Sequence, residues 1–238
     1  TKIEFKATVI GKKIYVCGGY TGKEYLNLLE VFDCETNSWS ELAPMQNMRK
    51  EHGMTTLNDH IYVAGGRDGS NTKLSSVLKY SPQTNTWTEV KAMNEGREDH
   101  ELVTLDGYIY AIAGYETNTV ERYSPLIDKW GFVAPTHYQH YYFGATSHQN
   151  KIYVLSEGGF EVYHPESNVW EDLPSLDVAN GLQLVSINDK LLALGAGVGD
   201  HKGKASKAVY QFDTTKNSWI HLPDMNVARK FYRAVVVN

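Results

Sequence analysis

Apolar residues recur along the chain in short runs bounded by Gly, Asn, Asp and Pro, with no helical period between them, so the pattern predicts strands. Five runs stand out: Ile14-Tyr15-Val16-Cys17, Ile61-Tyr62-Val63-Ala64, Ile109-Tyr110-Ala111-Ile112, Ile152-Tyr153-Val154-Leu155 and Leu191-Leu192-Ala193-Leu194. A further strand precedes these runs, as in Gly53 to Leu57, Glu101 to Leu105, Phe143 to Ser147 and Leu182 to Ile187. A third ends on an aromatic residue, as in Val77-Leu78-Lys79-Tyr80, and a fourth carries a tryptophan. The turn between third and fourth, such as Ser81-Pro82-Gln83-Thr84-Asn85, has proline to preset its start and asparagine to tolerate a left-handed backbone, which predicts a hairpin.

The five tryptophans, Trp39, Trp87, Trp130, Trp170 and Trp219, each follow an aromatic residue by seven positions: Phe32, Tyr80, Tyr123, Tyr163 and Phe212. Six residues beyond each indole come Met45, Met93, Thr136, Leu176 and Met225. Spacings between tryptophans of 48, 43, 40 and 49 residues suit a unit of four short strands. One such sheet cannot bury both its faces. Stacking copies around an axis covers them, which predicts an all-β fold, a β-propeller of five four-stranded blades within a single domain. The repeats run approximately 1–45, 46–93, 94–136, 137–176 and 177–225, with a closing strand at 226–238. Glycines after the second strand, at Gly18-Gly19, Gly65-Gly66, Gly114 and Gly195, are read as geometric hinges, because a phosphate-cradling loop would open a helix that no segment supplies.

The Gly-Gly after Ile-Tyr-Val, the tyrosine fourteen residues on (Gly66 to Tyr80) and then Trp87 resemble the Kelch family over almost the whole chain. The fourth copy departs, with Ser156-Glu157 in place of the glycine pair and Gly158-Gly159 turning straight into Phe160 to Tyr163; the fifth reads Gly195-Ala196-Gly197. Six segments qualify as first strands for five blades, since Ala7 to Ile10 and Ala234 to Val237 both do. The resemblance implies a ring closed by the C-terminal strand completing the first blade, leaving Ile3 to Ile10 as a linker or competing strand. The alternative is an incomplete six-bladed ring, which would leave two large apolar blade faces exposed.

With 238 residues, 42% of them hydrophobic, the chain can bury a sizeable core. A net charge of -5 argues against nucleic acid as a partner. No apolar run is long enough to span a membrane, and Thr1 to Ile10 lacks the uncharged core of a signal peptide. Only two cysteines and no Asn-x-Ser/Thr acceptor point to a reducing, cytoplasmic setting, with Cys17 and Cys34 as unbridged thiols at opposite edges of one sheet.

No catalytic set is visible, so no enzyme activity and no cofactor are expected. His137 and His140 are closely spaced but lie in a loop between blades without further ligands at metal-site spacing, and are read as solvated or partner-facing. Serines such as Ser147 and Ser156 lack a nucleophile setting. Chemical variety instead concentrates in the loops between blades, which read Met48 to His52, Gly96 to His100, His140 to Tyr142, Val178 to Asn180 and Ala228 to Tyr232. In substrate-receptor Kelch domains, those loops and the ones after the second strands form the binding mouth. The resemblance therefore implies partner-binding positions at Tyr20, Lys50, Glu51, Arg67, Glu98, Asp99, Tyr115, Tyr141, Tyr142, Asn180, Lys230 and Phe231. Arg49, Arg97 and Arg229, each four residues past a methionine, are assigned to loop support before ligand contact. The basic stretch His201 to Lys207 is read as a solvated loop, with an acidic partner segment as the sharper option.

These residues point to a protein-interaction module that binds a peptide segment of a partner. Resemblance to BTB-Kelch adaptors implies substrate recognition for a cullin-RING ubiquitin ligase, with the cullin scaffold engaged through a domain outside these residues. The second reading is an actin-binding or crosslinking protein that uses the blade sides.

Overall fold

In a computed structural model, which describes residues 3–176, 181–195, 205–229 and 232–237, the chain forms five four-stranded antiparallel sheets arranged as a β-propeller. Blade one comprises β1 (Lys6–Ile10), β2 (Lys13–Cys17), β3 (Leu29–Asp33) and β4 (Ser38–Leu42). Blade two is β5 (Gly53–Leu57), β6 (His60–Ala64), β7 (Val77–Ser81) and β8 (Thr86–Val90), and blade three is β9 (Glu101–Leu105), β10 (Tyr108–Ile112), β11 (Val120–Ser124) and β12 (Lys129–Val133). Blade four is β13 (Gly144–His148), β14 (Lys151–Ser156), β15 (Gly159–His164) and β16 (Val169–Leu173). Blade five is β17 (Gln183–Ile187), β18 (Lys190–Leu194), β19 (Val209–Asp213) and β20 (Ser218–Leu222). Among the described residues there is no helix long and apolar enough to cross a membrane.

The seven-residue aromatic spacing is a cross-strand register. Phe32, Tyr80, Tyr123, Tyr163 and Phe212 lie directly opposite Trp39, Trp87, Trp130, Trp170 and Trp219 across the third and fourth strands. Their ring centroids are 5.0 to 5.2 Å apart. The turn that sets this register places Asn37, Asn85, Asp128, Asn168 and Asn217 at φ of 47° to 55°, a left-handed conformation that these short polar side chains tolerate. Between first and second strands, Asn58-Asp59, Asp106-Gly107, Gln149-Asn150 and Asn188-Asp189 all have positive φ, as two-residue hairpin turns of matching twist require. In blade four, Ser156 pairs with Gly159, so β14 runs into β15 without the loop present in the other blades.

Four apolar clusters join successive blades. Tyr15, Leu29 and Met45 of blade one pack on Ile61, Val63 and Tyr80 of blade two, and Tyr62, Val77 and Met93 pack on Ile109, Tyr123 and Trp130. Tyr110, Ile112 and Val120 pack on Ile152, Tyr163 and Trp170; Tyr153, Phe160 and Val162 pack on Leu191, Ala193 and Phe212. Each interface adds polar grips on the residue four past the preceding tryptophan. Trp87, Trp130, Trp170 and Trp219 donate their indole N–H groups to the carbonyls of Ala43, Lys91, Ala134 and Pro174 at 2.7 to 2.9 Å. The N–H groups of Ala43, Lys91 and Ala134 donate in turn to Asn85, Asp128 and Asn168, each of which also accepts from its own blade's tyrosine hydroxyl.

Blade one departs from the sequence expectation. Its innermost strand is β1, paired from Lys6↔Cys17 to Ile10↔Lys13, and Val235-Val236 do not complete that sheet. The physical reason is locality: β1 reaches β2 across Gly11-Lys12, whereas a strand returning from the other terminus carries a far larger loop-closure cost. The seam between blades five and one is also unlike the other four. Ile14, Val16 and Phe32 on blade one are only half-buried, as are Leu192, Leu194, Val209 and Met225 on blade five. No apolar cluster joins these two blades among the described residues. C-terminal residues bridge the seam instead: Tyr232 packs against Gly195, and Arg233 donates to the Phe5 carbonyl at 3.2 Å. Two half-covered apolar faces are what a ring short of one blade presents, the alternative to closure by the C-terminal strand. Cys17 is buried beside Met45, Cys34 is exposed, and no disulfide joins them.

Trp170 is 3% exposed and Trp39 is 58% exposed, so the same truncation should have unequal effects. Trp170→Ala is expected to cost about 3–5 kcal/mol, and Trp39→Ala less than about 1 kcal/mol. Urea unfolding of both variants measures the difference; equal losses would mean that Trp39 is covered in solution.

Candidate functional site

The loops from fourth to first strands cross back over their own blade where the second strand ends. Close approach there requires glycine: a Cβ at Gly65 would lie 2.6 Å from the Arg97 carbonyl oxygen, and one at Gly66 would lie 2.4 Å from that of Lys50. With the side chain absent, Gly66 N–H donates to Arg97 O at 2.7 Å and fixes the loop. Each loop then sends one side chain into the next blade. Arg49 donates to the Gly65 and Ser76 carbonyls, and Arg97 donates to those of Ala113 and Thr119 and to Glu121. Both guanidiniums are fully buried, and burial pulls their pKa down. His140 stands at this position in the next loop, with Ser156 Oγ at 2.7 Å and Glu161 Oε1 at 2.8 Å. Arg49 and Arg97 are thus loop supports, while Arg229 is exposed beside the seam and bridged to Ser206 through backbone hydrogen bonds.

Held in this way, nine of the twelve sequence-predicted partner positions form one continuous patch drawn from blades one to four. Lys50 and Arg67 exchange backbone hydrogen bonds at 3.1 and 2.9 Å. The Lys50 ammonium lies 3.0 Å from Glu51 and 3.1 Å from Glu4, and 5.7 Å above the Tyr20 ring. Arg67 forms a two-pronged pair with Glu98 and stands 4.0 Å from Glu51. The Asp99 N–H donates to Glu51 O, and the Tyr115 N–H donates to Glu98 O. The Tyr115 and Tyr141 rings meet edge to face at 6.0 Å, and Tyr142 projects half-exposed beside Asp99. Asn180, Lys230 and Phe231 lie outside the described residues, as do His201 to Lys204 of the basic loop.

The patch opens into an axial cavity of about 220 Å3, lined by Glu51, Asp99 and Tyr142 together with Glu4, Phe5, Lys6, Glu101, Phe143, Leu182 and Arg233 among others. Lys6 donates to Glu101, which also receives Arg233 at 3.3 Å. Burial, then the charge of Arg233, lowers the Lys6 pKa to about 8 against the pull of Glu101. Burial and the Glu51 carboxylate raise Asp99 to about 6, and the Asp99 charge, then burial, raises Tyr142. Lys50 stays above the ordinary lysine range: partial burial opposes its charge, but hydrogen bonds to Glu51 and Glu4 outweigh that.

Glu4, Phe5, Lys6 and Arg233 are not among the sequence-predicted positions, because Ile3 to Ile10 reads as a linker or competing strand and the C-terminal segment as the closing strand. Tyr25 and Lys73 are likewise outside the predicted set; they stand across from Tyr20 and Arg67 on the returning limbs of the loops after β2 and β6. The available signal is charge at the head of a first strand, Lys6 and Glu101, where the other copies carry the uncharged Gly53, Gly144 and Gln183. His137, with Asp172 at 2.8 Å and Glu161 at 3.6 Å, forms a three-ligand cluster that could hold a metal ion. The buried Glu161 carboxylate there already accepts from His140 and from the backbone N–H groups of His137 and Tyr138.

A carboxyl whose pKa is raised in the fold favours the protonated state, so the Asp99 penalty is absent below about pH 4 and complete above about pH 6. Asp99→Asn is expected to raise unfolding free energy at pH 7.5 by on the order of 2 kcal/mol. That gain should vanish toward pH 4, as read by urea titrations at both pH values.

A KLHDC2/KLHL20/DRC7 Kelch-repeats domain model matches residues 2–114, and a Kelch motif model matches residues 96–136. Kelch-like protein 23 of Homo sapiens is 26% identical over 250 residues, covering 100% of this chain and 44% of that protein. Kelch-like protein 35 of Mus musculus is 29% identical over 225 residues, covering 90% of this chain and 38% of that protein. An Influenza virus NS1A-binding protein homolog of Xenopus laevis is 41% identical over 63 residues, covering 26% of this chain and 10% of that protein. The chain therefore spans less than half the length of these relatives. Five repeats folded as five blades, two Kelch models and Kelch-like relatives along the whole length make the chain a Kelch-repeat β-propeller of the kind carried by BTB-Kelch proteins.

Proposed function

We propose that this propeller is a non-catalytic recognition module that holds a peptide segment of a partner protein across its mouth, acting in the cytoplasm as the substrate-recognition part of a cullin-RING ubiquitin ligase adaptor. Kelch propellers are protein-interaction domains, and that general role is the starting point. The observation that carries the reading is the patch itself. Tyr20, Lys50, Glu51, Arg67, Glu98, Asp99, Tyr115, Tyr141 and Tyr142 are contributed by successive blades but touch or neighbour one another around one cavity. Charged and aromatic groups on loops fixed by buried arginines give an anchoring surface whose shape is set before a ligand arrives. Asn180, Lys230 and Phe231 belong to the same assignment by their place in the sequence, between the fourth strand of one repeat and the first of the next. The ligase role is the finer part of the proposal and rests on the resemblance to BTB-Kelch adaptors, in which the cullin scaffold would be engaged through polypeptide outside these residues.

A second reading, binding to the side of an actin filament, is favoured by exposed Leu126, Ile127 and Phe132 on the outer edge of blade three. Affinity capture separates the two. With Tyr20→Ala/Arg67→Ala/Tyr142→Ala, partners bound by the unaltered protein should fall at least about tenfold, the scale of a lost anchor. Leu126→Ser/Phe132→Ser should leave them in place. The reverse pattern, with loss of filament co-sedimentation in the blade-side variant, would transfer the function to the outer surface.

A further inference from the structure

We propose that the axial cavity is the pocket for one basic side chain of the bound peptide, an arginine or lysine whose charged head pairs with Asp99. This deepens the peptide-mouth reading and rests on it. The carboxylates around the cavity are not equivalent. Glu101 is taken by Lys6 and Arg233. Glu4 and Glu51 share the Lys50 ammonium. The Asp99 side chain has neither an ion pair nor a hydrogen bond among the described residues, although it lines the same cavity and is partly withdrawn from water. A desolvated, unpaired carboxylate is the group that gains most from an arriving cation.

The cavity's other features fit the same occupant. Ile3, Phe5, Phe143 and Leu182 supply apolar wall for a long aliphatic stem, and a volume of about 220 Å3 takes one extended side chain. Four lining carboxylates, Glu4, Glu51, Asp99 and Glu101, outnumber two lining bases, Lys6 and Arg233, both already committed to Glu101. An acidic side chain would meet repulsion without an available base, and an apolar one would bury Asp99 further with no partner. The field that Asp99 experiences comes from Glu51 and Glu4 on one sign and Lys6 and Lys50 on the other, with Tyr142 against it. The two carboxylates raise its proton affinity, and a bound cation would relieve that repulsion.

The test titrates Nα-acetyl-arginine methylamide and Nα-acetyl-glutamate methylamide into isotope-labelled protein, following amide resonances of Asp99, Tyr142, Phe143 and Leu182. The arginine compound is expected to shift them, and the glutamate compound is not. Asp99→Asn should weaken arginine binding at least about tenfold, the loss expected for one charge-assisted pair, and Glu51→Gln should weaken it less. Lowering the pH from 7.5 to 5 should weaken binding to the unaltered protein and leave Asp99→Asn unchanged. Absence of shifts at these residues, preference for the glutamate compound, or equal affinity in Asp99→Asn overturns the proposal. Partners captured through the mouth but indifferent to Asp99→Asn would sink this inference while leaving the peptide-receptor reading standing. Partners indifferent to the Tyr20, Arg67 and Tyr142 triple substitution would sink that reading itself.

Discussion

The structure depends on the grip that each blade takes on the residue four past its neighbour's tryptophan. At Ala43, Lys91 and Ala134 the next blade satisfies both peptide groups, the carbonyl by an indole N–H and the amide by an Asn or Asp turn side chain. Each of those acceptors also receives the tyrosine hydroxyl opposite the indole, so one hairpin turn, one aromatic pair and two backbone groups form a single unit. Leaving any member unpaired in this half-buried place would cost more than the bond contributes when made, which holds the inter-blade register. The fifth blade shows the same dependence by subtraction: Phe212 has no hydroxyl, Pro174 has no N–H, and only the indole bond remains.

Rigid register on one side of the sheets is what places the loops on the other side. Arg49, Arg97 and His140 solve one problem with different chemistry. Arg49 is satisfied by carbonyls and a serine, Arg97 adds the buried Glu121, and His140 uses the buried Glu161 with Ser156. Buried pairs of this kind specify geometry more than they add stability, because desolvation offsets most of the attraction. His52 and His100 are a contrasting case. Both are fully buried with no hydrogen-bond partner on either ring nitrogen among the described residues, and burial, then neighbouring cations, holds their pKa well below the usual value. They are neutral spacers against Gly18 and Gly65, as Tyr232 is against Gly195.

The repeat made the fold readable. A seven-residue aromatic frame can be met only by a hairpin of fixed register, and the second-strand runs match β2, β6, β10, β14 and β18 nearly residue for residue. The rim was readable as positions, since loop residues between repeats have one place to go, and Lys50, Glu51, Arg67, Glu98 and Asp99 do converge. What periodicity could not convey was pairing within the rim. Which carboxylate is neutralised depends on chain segments far apart in sequence: Glu101 meets Lys6 and Arg233 from the two termini, and Glu4 meets Lys50. Hydrophobic pattern carries no record of such contacts, and closure was misjudged for the same reason, because two segments of equal strand character compete for one edge.

The seam explains why the termini matter to the mouth. Between blades one and two, apolar side chains fill the interface, and the loops above it are fixed from below. Between five and one that filling is absent among the described residues, and the connection passes through Tyr232 on Gly195 and Arg233 on the Phe5 carbonyl and Glu101. The same arginine lines the cavity. One wall of the cavity is therefore held by hydrogen bonds and an ion pair, where elsewhere the rim rests on an aromatic core. Polar links between distant segments respond to pH and salt far more than buried apolar contacts do. It follows that the charge state of the cavity and the integrity of the seam are coupled through Arg233 and Glu101, whereas the loops from blade one to blade four also rest on apolar interfaces beneath them.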